Sequence, residues 1–372
     1  MKSLVGENIA EIDAEKLKEV ERPWLKAYDE GVPATIEYPV IPLHRLYENV
    51  AKKYGDKVLA DFIGKKMTYR QLIEGGQKVL SFLYDLGIGK GDRVVVCLPN
   101  TPHYMQIAYA VWKAGATLVQ ANPIYSTREL KYIVENSEAD VMFAIDVSYE
   151  NYRPLIEDGM FRKVVICRIE DYLRFPLNYL FPLTVKKKKF GNVRVEKTSE
   201  VCFWSDVMKY GKTDREAEVN PKEDVAVFQY TGGTTGLPKG VMLTHFNLVA
   251  NAYQVSSWDV KASPNDVYLG ALPMFHSYGF TMAHAGLLIG GKIVIVPDPR
   301  DFTFYLKAIH KHRVTVFPGV PTMYVALLNH PDLKKYDLTS VRACISGAAP
   351  LPVEVKRRWE EVTGKRIVEG YG

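Results

Sequence analysis

Residues 224–240 read DVAVFQYTGGTTGLPKG, an apolar run that gives way to glycine, threonine, proline and lysine. The run DVAVFQ reads as a buried strand. The segment after it has the chemistry of an anion holder. Gly232, Gly233 and Gly236 let the backbone bend sharply and bring its N–H groups close to a phosphate. The hydroxyls of Thr231, Thr234 and Thr235 add donors, and Lys239 supplies a compact positive charge. The spacing is neither G-x-x-x-x-G-K-[ST], since Pro238 precedes the lysine and Gly240 comes after it, nor G-x-G-x-x-G. The competing reading is a glycine-rich hairpin. Three threonines, three glycines, a proline and a lysine in this order favour the phosphate loop over a bare turn.

From Lys57 onward, β-branched runs alternate with amphipathic stretches. Upstream stand RVVVCLP (93–99), TLVQAN (117–122) and KVVICR (163–168), and downstream YLGALP (268–273), KIVIVP (292–297), VTVFPGV (314–320) and SVRACISG (340–347). Helix starts punctuate them: Thr68 with Gln71 and Ser126 with Glu129 read as capping boxes, and Thr101 precedes a first-turn Pro102. This rhythm predicts a mainly parallel α/β fold. At 372 residues the chain exceeds what one core supports, so two subdomains are expected. The first covers 1–223 and carries an irregular insert at 173–200; the second covers 224–372.

The balance of 48 basic and 43 acidic residues, formal charge +5, is too weak for a nucleic-acid partner and suits an anionic small substrate or an ordinary surface. Cys97, Cys167, Cys202 and Cys344 are far apart and unpaired by any C-x-x-C spacing, which favours reduced core thiols in a cytoplasmic protein. The N-terminus is acidic and interrupted, unlike a signal peptide, and no apolar run reaches the roughly 20 residues that span a bilayer. The chain is therefore expected to be soluble or peripheral. In the insert, apolar and aromatic residues adjoin Lys186, Lys187, Lys188 and Lys189, a pairing that suits weak contact with an anionic membrane. Pro176 and Pro182 forbid a regular helix there, and a connecting loop with solvated lysines is the preferred reading. His310 and His312 are two apart on a predicted helix and share no face, so they do not mark a metal site.

The segment from Tyr230 to Val241 resembles the signature [YF]-T-[SGT]-G-T-T-G-x-P-K-G-V of the adenylate-forming superfamily, which includes acyl-CoA synthetases, luciferases and peptide-synthetase adenylation domains. Three further segments agree in order. LPMFHSYG (272–279) is similar to the motif that lines the acyl site, SGAAPL (346–351) to the segment that runs along adenine, and EGYG (369–372) to the start of Y-G-x-T-E. The likeness is nearest to the long-chain fatty-acid branch, through TGGTTG and an FPLN-type insert.

The resemblance implies ATP, Mg2+ and coenzyme A as reactants and cofactors, and a long-chain fatty acid as substrate. It places the ATP phosphates on Thr231, Gly232, Gly233, Thr234, Thr235, Gly236 and Lys239, with the Thr231 hydroxyl near magnesium. Gly347, Ala348, Ala349, Pro350, Glu369, Gly370, Tyr371 and Gly372 would receive adenine, Tyr371 by stacking. His276, Ser277, Tyr278, Gly279 and Phe280 would line the acyl site, with Lys239, Thr235 and His276 nearest the chemistry. The implied fold is the family's large N-terminal portion: two mainly parallel α/β subdomains with helices on both faces and a small β subdomain. The family's magnesium-binding glutamate, hinge and C-terminal catalytic lysine would lie beyond residue 372, so the chain as given is expected to bind nucleotide without making acyl-CoA at a useful rate. Ligases for short-chain, aryl or amino acids and a non-catalytic nucleotide-binding module stay open as alternatives, as does a homodimer.

Overall fold

In the computed structural model, residues 22–231 and 237–370 are described. The β-branched runs become short strands: β1 (Val58–Phe62), β2 (Lys65–Thr68), β3 (Arg93–Cys97), β4 (Thr117–Gln120), β5 (Val141–Ile145), β6 (Lys163–Cys167), β7 (Val201–Phe203), β8 (Val225–Thr231), β9 (Lys239–Thr244), β10 (Val267–Gly270), β11 (Lys292–Ile295), β12 (Val316–Gly319), β13 (Ala343–Ser346) and β14 (Ile367–Glu369). They form two seven-stranded sheets, ordered β7-β6-β5-β3-β4-β8-β9 and β14-β13-β12-β10-β11-β1-β2. Each sheet is parallel except for one antiparallel edge pair, β8 with β9 and β1 with β2.

Strand pairing crosses the boundary expected after residue 223. β8 and β9 close the first sheet, with Leu118 opposite Val227, whereas β1 pairs in parallel with β11, Ala60 opposite Ile293, and so belongs to the second. The apolar run that announces a strand says nothing about which distant run accepts its hydrogen bonds, so each sheet borrows an edge from the other half of the chain.

Along β3, Val94 and Val96 enter one core and Val95 and Cys97 the other, because a parallel sheet is covered by helices on both faces. The helix Pro102–Lys113 is buried along its whole length between the sheets. Its Trp112 ring N–H donates to the Ala226 carbonyl at 3.0 Å, and the Trp112 ring meets Phe280 of the helix Ser277–Leu288 edge-on at 6.1 Å. Both expected capping boxes form, Thr68 with Gln71 and Ser126 with Glu129, and Thr101 occupies the N-cap of the helix that opens with Pro102. All four cysteines are buried and free, including Cys202 in β7.

The insert departs from the expected loop. Leu177–Phe181 is helical, Pro182–Lys186 widens into a π turn, and Lys187–Phe190 resumes the helix. Pro182 lacks the N–H that an α-helix would use, and the chain absorbs it by loosening the helix at that point rather than by ending it. No helix of the described residues is long and apolar enough to cross a membrane.

Candidate functional site

The glycine–threonine segment joins β8 to β9, so its flanks form a hairpin, and a hairpin and a phosphate loop are compatible here. Thr231 stands opposite Lys239 across the antiparallel pair, both exposed, and the Thr231 hydroxyl donates to the Lys239 carbonyl at 3.4 Å. Gly232, Gly233, Thr234, Thr235 and Gly236 lie outside the described residues, as do Tyr371 and Gly372. The helix Thr127–Ser137 holds both arms of the hairpin. The Tyr230 hydroxyl donates to the Asn136 side chain at 2.8 Å, and the Tyr132 hydroxyl donates to the Pro238 carbonyl at 3.0 Å.

The second motif leaves the carboxyl end of β10 at a place dictated by topology. The chain passes from β10 to β11 on one side and then returns to β12 on the other side of β10. Ligands of open α/β sheets lie outside the strand ends at such reversals. Here residues 272–276 climb over the sheet, pinned by Asn100. Its side chain donates to the Leu272 carbonyl at 2.9 Å and accepts the Met274 N–H at 2.8 Å. His276 caps the next helix, its Nδ1 accepting the Tyr278 N–H at 3.4 Å, and its ring stays exposed. Ser277 opens that helix, and Gly279 lies so close to Pro273 that an added Cβ would fall 2.1 Å from the proline carbonyl oxygen. Beneath them Tyr268, Gly270, Leu272, Met274, Met282 and Pro318 pack into an apolar seam with room for about one water. Phe280 turns away into the core, its ring 4.0 Å from that of His284.

The adenine-like segment comes after β13. Gly347 donates its N–H to the Gly319 carbonyl at 3.1 Å, and a Cβ on Gly347 would come 2.9 Å from the Tyr278 ring. The Tyr278 hydroxyl donates to the Ile345 carbonyl at 3.1 Å, and burial pushes its pKa well above the ordinary tyrosine range. Ala348 takes a left-handed backbone, φ +66°, a conformation that costs an alanine about 1 kcal/mol and turns the exposed Ala348, Ala349 and Pro350 outward. Glu369, at the end of β14, accepts the Leu351 N–H at 2.7 Å, and the Gly370 N–H donates to the Ser346 carbonyl at 2.8 Å.

These contacts bring the separated motifs onto one rim. The Gln229 side chain donates to the Phe275 carbonyl at 3.1 Å, joining the loop-bearing strand to the His276 segment. Tyr278 joins that segment to Gly347, and the Gly370 N–H joins β13 to β14. Gln229, Asn100, Asn136 and Tyr132 tether these segments, and the sequence does not announce them. Gln229 and Asn136 carry no motif of their own, and only the polar character of Gln229 inside an apolar strand hints at a tether. His245 packs behind the rim, its Nδ1 accepting the Leu43 N–H at 3.1 Å. No cluster of metal-ligating side chains occurs among the described residues.

Residues 47–372 match the family described as AMP-binding enzyme. The chain is 40% identical over 359 residues to a long-chain-fatty-acid–CoA ligase of Bacillus subtilis, covering 95% of this chain and 63% of that protein. The crystal structure of a long-chain-fatty-acid-CoA ligase from Archaeoglobus fulgidus superposes with a TM-score of 0.77 at 28% identity, over 93% of this chain and 66% of that one. An anthranilate CoA ligase with bound anthranoyl-AMP shares the fold, with a TM-score of 0.78 at 21% identity over 90% of this chain and 60% of its own. The chain thus spans a little under two thirds of the length of these relatives.

Proposed function

Because the chain belongs to the family of AMP-binding enzymes, we propose that the whole protein uses ATP to activate a long-chain fatty acid and passes the acyl group to coenzyme A. In the first step a carboxylate oxygen attacks the α-phosphorus of ATP and the bond to the β-phosphate breaks, giving acyl-AMP and pyrophosphate. In the second the coenzyme A thiol, losing its proton, attacks the acyl carbon and AMP departs. No protein nucleophile is needed. The protein must hold two mutually repelling anions in line and neutralise charge on the leaving pyrophosphate.

The observation that carries this reading is the chain of contacts from Gln229 through Phe275 and Tyr278 to Gly347, which sets three separated segments along one rim. On that rim Lys239 and Thr231 would meet the β- and γ-phosphates together with the loop amides between them. Gly347 to Pro350 and Gly370 would lie along adenine, where close backbone approach suits a flat base. Magnesium would enter with ATP and screen its phosphates, with the Thr231 hydroxyl as the protein's contribution. His276, whose ring is exposed, and Tyr278 would line the entrance for the acyl chain. The fatty-acid class rests on the 40% identity to the Bacillus ligase.

Pyrophosphate exchange in the whole protein with palmitate, benzoate, acetate and a panel of amino acids tests both parts. Exchange driven by palmitate alone is expected. Exchange driven by an aromatic or amino acid in its place would discard the fatty-acid assignment, and no exchange with any acid would discard adenylation itself.

A further inference from the structure

The insert is fastened by one buried cation and turns its apolar residues outward. Lys186, 7% exposed, bonds to the buried Asp146 carboxylate and lies 2.7 Å from Glu170. Around this anchor Phe175, Tyr179 and Leu183, at 81%, 67% and 72% exposure, recur every four residues. Leu180 and Val185 are exposed with them, and the Phe175 and Tyr179 rings meet at 6.1 Å. Arg174, Lys187, Lys188 and Arg194 flank this surface and are exposed, while Lys189 pairs with Asp298 at 2.5 Å. From Leu173 to Val195 the sequence holds no aspartate or glutamate.

We propose that this insert docks the protein on anionic lipid bilayers. A segment that merely linked two strands would gain nothing from a buried lysine anchor while holding a row of large apolar side chains in water, since such patches cost free energy unless something covers them. A membrane surface covers both halves of the pattern: Phe175, Tyr179, Leu180 and Leu183 enter the boundary between headgroups and acyl chains, and Lys187, Lys188, Arg174 and Arg194 meet the phosphates. A second copy of this chain fits the face poorly. Bringing two such surfaces together sets bases against bases, with no acid between residues 173 and 195 to offset them. The inference stands apart from the acyl-CoA reading, because it rests on this surface alone.

Flotation of the protein with phosphatidylcholine vesicles, with and without phosphatidylglycerol, tests it. Binding is expected to the anionic vesicles, weakening as salt rises. Lys187→Ala with Lys188→Ala lowers partitioning by about 30-fold, from about fivefold for each lysine near an anionic surface. Tyr179→Asp with Leu183→Asp abolishes flotation at an unchanged melting temperature, since both side chains are exposed. Absence of flotation with anionic vesicles at low salt overturns the proposal, as does binding that survives both double variants. If Tyr179→Asp with Leu183→Asp instead converts a dimer to a monomer and leaves vesicle binding intact, the surface is a self-interface and the proposal falls. Pyrophosphate exchange measured without vesicles should be unchanged in these variants, which separates a failure of docking from a failure of the enzymatic reading.

Discussion

The Gln229 side-chain amide donates to the Phe275 carbonyl at 3.1 Å, so the strand that leads into the glycine–threonine segment and the segment that carries His276 are held by one hydrogen bond across two sheets. Gln229→Leu keeps the bulk and removes the donor. The expected cost is about 1 kcal/mol in stability and about tenfold in pyrophosphate exchange, because small misplacements of reacting groups are expensive. Urea unfolding and exchange kinetics read the two effects separately, and a full exchange rate in the variant would show that other contacts hold the register.

Lys239 is exposed opposite Thr231, so its removal should leave the fold alone. Lys239→Ala in the whole protein is expected to slow acyl-AMP formation by about 100-fold or more while stability moves by no more than about 0.5 kcal/mol. Single-turnover adenylation and a thermal melt make the comparison. An unaltered rate would remove the lysine from the site.

Gly279 has no room for a side chain. Gly279→Ala drives a methyl group to 2.1 Å from the Pro273 oxygen, and because the obstacle is backbone the helix Ser277–Leu288 must shift. A loss of about 1–3 kcal/mol is expected, against little change for Gly211→Ala, where nothing lies within 4 Å. Equal urea midpoints for the two variants would contradict the close approach.

Burial holds His44, His245 and His284 neutral, each brought down to about 4 from an ordinary value of 6.5. The unfolded chain takes up protons on all three below pH 6.5 while the folded chain does not, so stability is complete above 6.5 and falls as the pH drops toward 4. Each contributes a slope of up to about 1.4 kcal/mol per pH unit within that window. Urea midpoints at about pH 7.5, 6 and 5 should fall steadily, and a flat series would mean that the three rings are protonated in the native state.

Lys186 neutralises two carboxylates in a buried place. Lys186→Met leaves Asp146 and Glu170 facing one another without a cation, where burial already raises the Asp146 carboxyl above its ordinary range. Breaking such a pair costs about 3–5 kcal/mol. The double variant Lys186→Met with Asp146→Asn should recover part of it, and a double-mutant cycle with no coupling would show that the lysine does not depend on Asp146.

Much of this protein is legible in its sequence. Strands β3, β4, β6, β8 and β11 to β13 fall within runs marked by their β-branched residues, β10 overlaps its run from Tyr268 on, and the capping boxes at Thr68 and Ser126 form as their spacing demands. Those signals are local: a strand buried on both faces must be apolar throughout, and a cap must sit three residues from its partner. The short edge strands β2, β7, β9 and β14 give no such signal: β7 is only three residues long, and β2, β9 and β14 carry polar positions. The insert is helical where a loop is expected because prolines argue against an α-helix, and the π turn that accommodates Pro182 has no sequence signature.

By itself, then, the sequence determined the α/β class and the four segments on which the family likeness rests, because each depends on residues adjacent in the chain. The exchange of β1–β2 and β8–β9 between the sheets, the inward turn of Phe280, and the tethers from Gln229 and Asn100 were decided only by the tertiary structure. Their partners lie 46 to 174 residues away for the two tethers, and no local pattern encodes which distant carbonyl or amide a side chain will meet.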